Sequence, residues 1–193
     1  AGDIDHKLGV RYGDSIELVG YSLSKSSLKP GDSLEVSLYW QASAPIDRSY
    51  TMFLELLGPN QEDFGRLDAI PGAGAYPTNM WKPGRLIKEV RQIRTAVNVD
   101  APVVSNLQVG MYRYDSGERL PVYGKDGNRL GDYAKLSSLR VLPAIDLLPS
   151  HSYPISAEFE GMIAMIGYDL DQSDVDPGDT LKGKLYWQAL TSP

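Results

Sequence analysis

Two histidines, 25 carboxylates and no cysteine set what chemistry this chain can offer. His6 lies close to the start and His151 in the proline-bearing stretch 147–154, so neither joins a clustered metal site. A Ser-His-Asp apparatus needs a nucleophile presented to an imidazole, and no Gly-x-Ser-x-Gly turn occurs. The lack of cysteine removes disulfides, zinc-thiolate sites and thiol nucleophiles together. Paired carboxylates are the remaining catalytic option. Glu62, Asp63 and Asp68 fall in a long connection from which they would have to meet Glu55 or Glu89 across one cleft to hydrolyse a glycoside. The competing reading is a polar surface loop, with the hydrolase as a remote alternative.

Oxygen-rich turns raise the question of calcium. Asp126, Asn128 and Asp132 surround glycines in Lys125-Asp126-Gly127-Asn128-Arg129-Leu130-Gly131-Asp132. That pattern fits a weak calcium site, and it fits better a hairpin turn in which Asp-Gly-Asn supplies positive φ. Gly72-Ala73-Gly74 lacks the strand before it and the Gly-Lys-Ser/Thr after it that a phosphate cradle needs. No cofactor is therefore expected. Aromatic rings give a binding lead instead. Tyr76 and Trp81 share the long connection with Asp68, and together would assemble a carbohydrate site; Tyr112, Tyr114 and Tyr123 lie farther on. The alternative makes Trp81 a plug for one end of the core and lets Tyr76 pack the loop down.

These residues need a scaffold, and the punctuation of the chain says which kind. Thirteen prolines and 19 glycines leave no room for a long helical period. Alternating segments predict strands over 16–23, 33–42, 50–58, 86–95, 107–114, 118–122 and 135–142. In 33–42, Leu34, Val36, Leu38 and Trp40 share one face, after a Pro30-Gly31-Asp32 turn. In 86–95 the alternation slips between Ile87 and Val90, as at a bulge or sheet edge. Residues 118–122 are expected to pair with 107–114, while 59–85 shows little regular pattern. The fold class expected is all-β, an Ig-like or fibronectin-III-like antiparallel sandwich. A net charge of −6 without a basic stripe argues against nucleic acid, and no run of 18 apolar residues spans a membrane. Ala1–His6 reads as an internal start, with no signal peptide.

The sequence also repeats itself. Gly20-Tyr21-Ser22-Leu23 returns as Gly167-Tyr168-Asp169-Leu170, Pro30-Gly31-Asp32-Ser33-Leu34 as Pro177-Gly178-Asp179-Thr180-Leu181, and Leu38-Tyr39-Trp40-Gln41-Ala42 as Leu185-Tyr186-Trp187-Gln188-Ala189, always 147 positions on. A sandwich over 10–145, a linker over 146–157 and the truncated start of a second repeat over 158–193 follow. Two strands build no core alone, so docking, strand exchange or a homodimer through the C-terminal strands would have to cover them. The acids Asp169, Asp171, Asp174 and Asp176 suggest a calcium loop, yet the first copy holds Ser22, Ser24, Ser27 and Lys29 there.

The Pro-Gly-Asp-x-Leu-x-Val-x-Leu-Tyr-Trp-Gln-Ala run at 30–42, Gly74-Ala75-Tyr76-Pro77-Thr78, Trp81-Lys82-Pro83-Gly84, Val109-Gly110-Met111-Tyr112 and Gly117-Glu118-Arg119-Leu120-Pro121-Val122 give the chain a family likeness. It resembles the soluble β-sandwich region that follows the membrane helices of bacterial protein-mannosyltransferase-like, lipid-linked-sugar glycosyltransferases. The resemblance covers most of 12–142 and restarts at 160. It implies an extracytoplasmic, membrane-anchored parent and a non-catalytic accessory role, with neighbouring domains, a glycan or an acceptor protein as partners. It carries over no catalytic residue, because the family's catalytic acids lie in its membrane part. A free-standing carbohydrate-binding module is the alternative expectation.

Overall fold

The computed structural model describes residues 4–144 and 151–190. The chain divides into two compact units, Ala1–Ala144 and Ile145–Pro193. Unit 1 contains strands β1 (His6–Tyr12), β2 (Ile16–Leu23), β3 (Ser27–Leu28), β4 (Ser33–Ala42), β5 (Thr51–Leu57), β6 (Asp63–Ala69), β7 (Leu86–Arg94), β8 (Val103–Tyr112), β9 (Val122–Tyr123), β10 (Arg129–Gly131) and β11 (Ala134–Val141). They form two sheets, ordered β10-β9-β1-β2-β4-β7 and β3-β11-β8-β5-β6. All pairings are antiparallel except that of β3 with β11.

Period-two patterning decides what the sheets bury. Leu34, Val36, Leu38 and Trp40 of β4 meet Met52, Leu54 and Leu56 of β5 and Leu107, Val109 and Met111 of β8 in one apolar cluster. Each such side chain contributes roughly 1.5–3 kcal/mol when fully buried. Two tyrosines also bond across the layers: the Tyr12 hydroxyl donates to Val109 O at 2.9 Å, and the Tyr21 hydroxyl to Leu136 O at 2.5 Å. The turn before β4 places Gly31 at φ 85°, and the Asp32 carboxylate accepts from Lys25 Nζ at 3.0 Å and Lys29 N–H at 3.2 Å.

Several elements differ from the sequence reading. β1 precedes the first expected strand and places His6 in a sheet, its ring stacked on Tyr21 at 4.7 Å. β6 and two short 3-10 turns occupy the apparently patternless 59–85 stretch. β7 is an edge strand, the second of the two readings its slipped alternation allowed, and its register with β4 is regular, without the bulge. Residues 118–122 pair with β8 only briefly, through the antiparallel Tyr112–Arg119 bridge and the Leu120 N–H bond to Met111 O, before β9 joins the other sheet beside β1.

Unit 2 is a single antiparallel sheet of β12 (Tyr153–Phe159), β13 (Ile163–Leu170) and β14 (Gly183–Ala189). β12 overlaps the expected linker 146–157, of which residues 146–150 lie outside the described residues. So do residues 191–193 of the expected second repeat. The registers of unit 2 can be set beside those of β1, β2 and β4. His6 faces Tyr21 and Tyr153 faces Tyr168; Leu18 faces Trp40 and Met165 faces Trp187; Gly20 faces Tyr39 and Gly167 faces Tyr186. The irregularities coincide too, at Leu18/Gly20 and Met165/Gly167. Among the described residues no helix is long and apolar enough to cross a membrane.

Candidate functional site

Trp81 is held in the core of unit 1. Its ring is 3% exposed, lies 6.3 Å from that of Trp40, and donates from Nε1 to Tyr76 O at 3.1 Å. The loop that delivers it is pinned by Thr78, whose buried hydroxyl accepts from Tyr50 N–H at 2.9 Å and donates to Arg48 O at 3.0 Å. Before it, Gly72 (φ 65°) and Ala73 (φ 53°) turn the chain, and Gly72 N–H donates to the buried Glu89 carboxylate at 2.9 Å. Tyr76 packs against the core cluster. Asp68 points the other way. It sits opposite Phe53 on the outer face of β6 and accepts from Arg66 Nε at 2.9 Å. Tyr76, Trp81 and Asp68 therefore do not share one surface, and Trp81 offers no ring face for stacking.

The other acids are engaged in local structure. Glu62 accepts from Asn60 N–H and Asn60 Nδ2 at 2.8 and 2.9 Å, and Asp63 from Gly65 N–H at 2.9 Å. Glu89 pairs with Arg91. Glu55, 6% exposed, accepts from Gln108 Nε2 at 2.7 Å and pairs with Arg66 at 3.2 Å and Arg119 at 3.4 Å. The Arg119 guanidinium also covers the Phe53 ring at 4.2 Å. Arg66 bridges Glu55 and Asp68 on this outer face.

The calcium candidates are occupied by their own turn. Asp126 accepts from Asn128 N–H at 3.1 Å and Asn128 Nδ2 at 2.7 Å, bonds that hold its carboxyl below the usual range. Asp132 pairs with Arg129 at 2.7 Å. Asp169 accepts from the Tyr186 hydroxyl and Ser152 N–H at 2.6 Å each. Among the described residues, no three His, Cys, Asp or Glu side chains converge to hold a metal.

A concave site of about 380 Å³ does exist, at one end of unit 1. Three connections build it: the β1–β2 turn at 13–15, the β4–β5 loop around Pro45–Tyr50, and the 113–121 segment. Gly13 N–H donates to Pro121 O at 2.8 Å and Leu120 N–H to Met111 O at 2.8 Å, which locks the loops together. Tyr12 lies beneath it, fully buried. Burial pushes its hydroxyl far up, so it stays protonated as the Val109 O donor. Tyr50 and Tyr123 bring half-buried rings to the wall, and the Arg11 guanidinium backs Tyr123 at 4.7 Å. Asp14, Asp47, Arg113 and Glu118 supply charge. The hydrogen bond from Arg48 holds the Asp47 carboxyl below the usual range. Arg113 pairs with Glu118 at 2.8 Å, while its Nε is buried without a partner.

The cleft has a size suited to a small ligand, with ring faces and hydrogen-bonding groups on one surface. Sequence reasoning named Tyr123 but missed Tyr50, Asp47, Asp14 and the Arg113–Glu118 pair. One signal was present: Arg113 and Glu118 flank the Asp115-Ser116-Gly117 turn, where a tight reversal brings opposite charges together. No family model and no curated protein matches this chain.

Proposed function

We propose that this chain is a non-catalytic binding module with an Ig-like or fibronectin-III-like sandwich as unit 1 and the start of a second copy as unit 2. The matching registers of β1-β2-β4 and β12-β13-β14 support the tandem reading. The module serves as an accessory domain outside the cytoplasm, in a larger membrane protein of the lipid-linked-sugar glycosyltransferase kind. The motifs that resemble that family are the basis for this assignment.

The end cleft carries the functional reading. Tyr50 and Tyr123 can meet the C–H face of a sugar ring, while Asp14, Asp47 and Arg113 exchange hydrogen bonds with its hydroxyls. The engagement of Glu55, Glu62, Asp63, Asp68 and Glu89 in structural bonds favours holding a glycan over hydrolysing one.

Calorimetric titration of the chain with short neutral and acidic oligosaccharides tests this. Binding should weaken at least about tenfold, or 1.4 kcal/mol, in both Tyr123→Ala and Asp47→Asn. No binding by any oligosaccharide, or binding that ignores both changes, would overturn the reading.

A further inference from the structure

The chain is acidic overall, at −6, yet Glu89 is the single carboxylate between Asp68 and Asp100. The same stretch holds Lys82, Arg85, Lys88, Arg91 and Arg94, so its formal charge is +4. In sequence these cations are interrupted by apolar residues and by Glu89. The strand sorts them. Period two turns Ile87, Glu89, Arg91 and Ile93 of β7 inward, with Glu89 and Ile93 buried. Leu86, Lys88, Val90, Gln92 and Arg94 are left exposed on the outer face. Glu89 is engaged by Arg91 and by Gly72 N–H, so the one acid of the stretch faces away from this surface.

Among the described residues Lys82, Arg85, Lys88 and Arg94 form no ion pair. Lys88 lies over the Tyr39 ring at 5.7 Å, and Arg94 Nε donates to Gly31 O at 3.2 Å. β7 is the last strand of its sheet, so the face ends in a sheet edge. Leu86 and Val90 stand between the cations at 44% and 42% exposed. Ile70, 43% exposed, lies beside them, its carbonyl accepting from Arg91. On β4 the neighbouring residues of this face are Ser33, Glu35, Ser37, Tyr39 and Gln41, and Glu35, opposite Gln92, is the one acid among them. Glu17 follows on β2, opposite Gln41.

Cations interleaved with exposed aliphatic side chains suit an anionic bilayer. Each Lys or Arg near such a surface strengthens attachment about fivefold, and aliphatic side chains gain by leaving water at the acyl boundary. A soluble acidic polymer would engage the cations and give Leu86 and Val90 no role. Screening acts over about 10 Å at 0.1 M salt, so a surface touching β7 meets the local charge before the acidic remainder of the chain. We infer that the outer face of β7, with Lys82 and Arg85, docks on the headgroups of an anionic lipid surface. The face shares no residue with the end cleft and needs no ligand there.

The test is flotation of the 193-residue chain with vesicles of phosphatidylcholine alone or of an equal mixture with phosphatidylglycerol. At 0.1 M salt, binding to the mixed vesicles should exceed binding to the neutral ones at least about tenfold, and it should be lost near 1 M. Arg85→Gln, Lys88→Gln and Arg94→Gln together should weaken it about 100-fold, three cations at about fivefold each. Leu86→Ser with Val90→Ser should weaken it about tenfold. Arg85→Lys with Arg94→Lys keeps the charge and should bind as the unchanged chain does, which separates charge from folding. No preference for the mixed vesicles, or full binding by the glutamine or the serine variant, overturns the inference. So does an equal loss when the exposed Lys125, Lys135 and Arg140, all outside this face, are changed to glutamine instead. Binding to soluble heparin without binding to vesicles also overturns it and reassigns the face to an acidic polymer.

Discussion

The Tyr12 hydroxyl is fully buried and donates to Val109 O. It adds a bond between the two layers of unit 1. Tyr12→Phe should cost unit 1 about 0.5–1.5 kcal/mol at neutral pH, read by denaturant unfolding. Burial raises the hydroxyl's pKa in the folded state, as it does for Tyr21. The native state then holds protons that the unfolded state releases above about pH 10, so stability is complete below that pH and falls as pH rises. Tyr12→Phe should flatten that alkaline loss. Trp81 shows the limit of reading single residues. Its sequence allowed both a sugar platform and a core plug, because the bonds that decide, through Thr78 and Tyr76 O, come from loop geometry that no alternation encodes. Trp81→Ala should destabilise unit 1 by about 3–5 kcal/mol, measured by the same unfolding.

Elements were legible where alternation and turn chemistry agree. Ile16–Leu23 and Ser33–Ala42 form over the ranges their patterns predict, with Gly31 supplying the turn. β1 was hidden because Gly9, at φ 67°, marks a register shift that breaks its period. β6 was hidden because it is an edge strand whose outer positions are Arg66 and Asp68. The β5–β8 pairing makes a sharp prediction. Gly110 lies opposite Phe53, and a Cβ there would overlap the Phe53 ring. Gly110→Ala should cost about 1–3 kcal/mol, and adding Phe53→Leu should recover part of it, a coupling that a double-mutant cycle reads. At the β4 turn, the bonds from Lys25 and Lys29 hold Asp32 below the usual carboxyl range. Their stabilisation is present above the unfolded carboxyl value near pH 3.9 and fades as pH falls through the lower folded value. Asp32→Asn should weaken the turn at neutral pH and narrow the gap to the wild type at pH 2–3, followed by thermal unfolding across that range.

For the whole molecule, the all-β class was legible and the placement of the cleft was not. Composition and punctuation fix the class, whereas the cleft forms where three connections distant in sequence meet at one end of unit 1. Its charged residues lie in loops, where spacing carries no information about who faces whom. The claim that this end holds a ligand is most directly tested by backbone amide shifts of the isotope-labelled chain titrated with the oligosaccharides that bind calorimetrically. The largest changes should fall at Gly13–Ile16, Asp47–Tyr50 and Arg113–Tyr123. Shifts centred elsewhere, or none at these three segments, would contradict it.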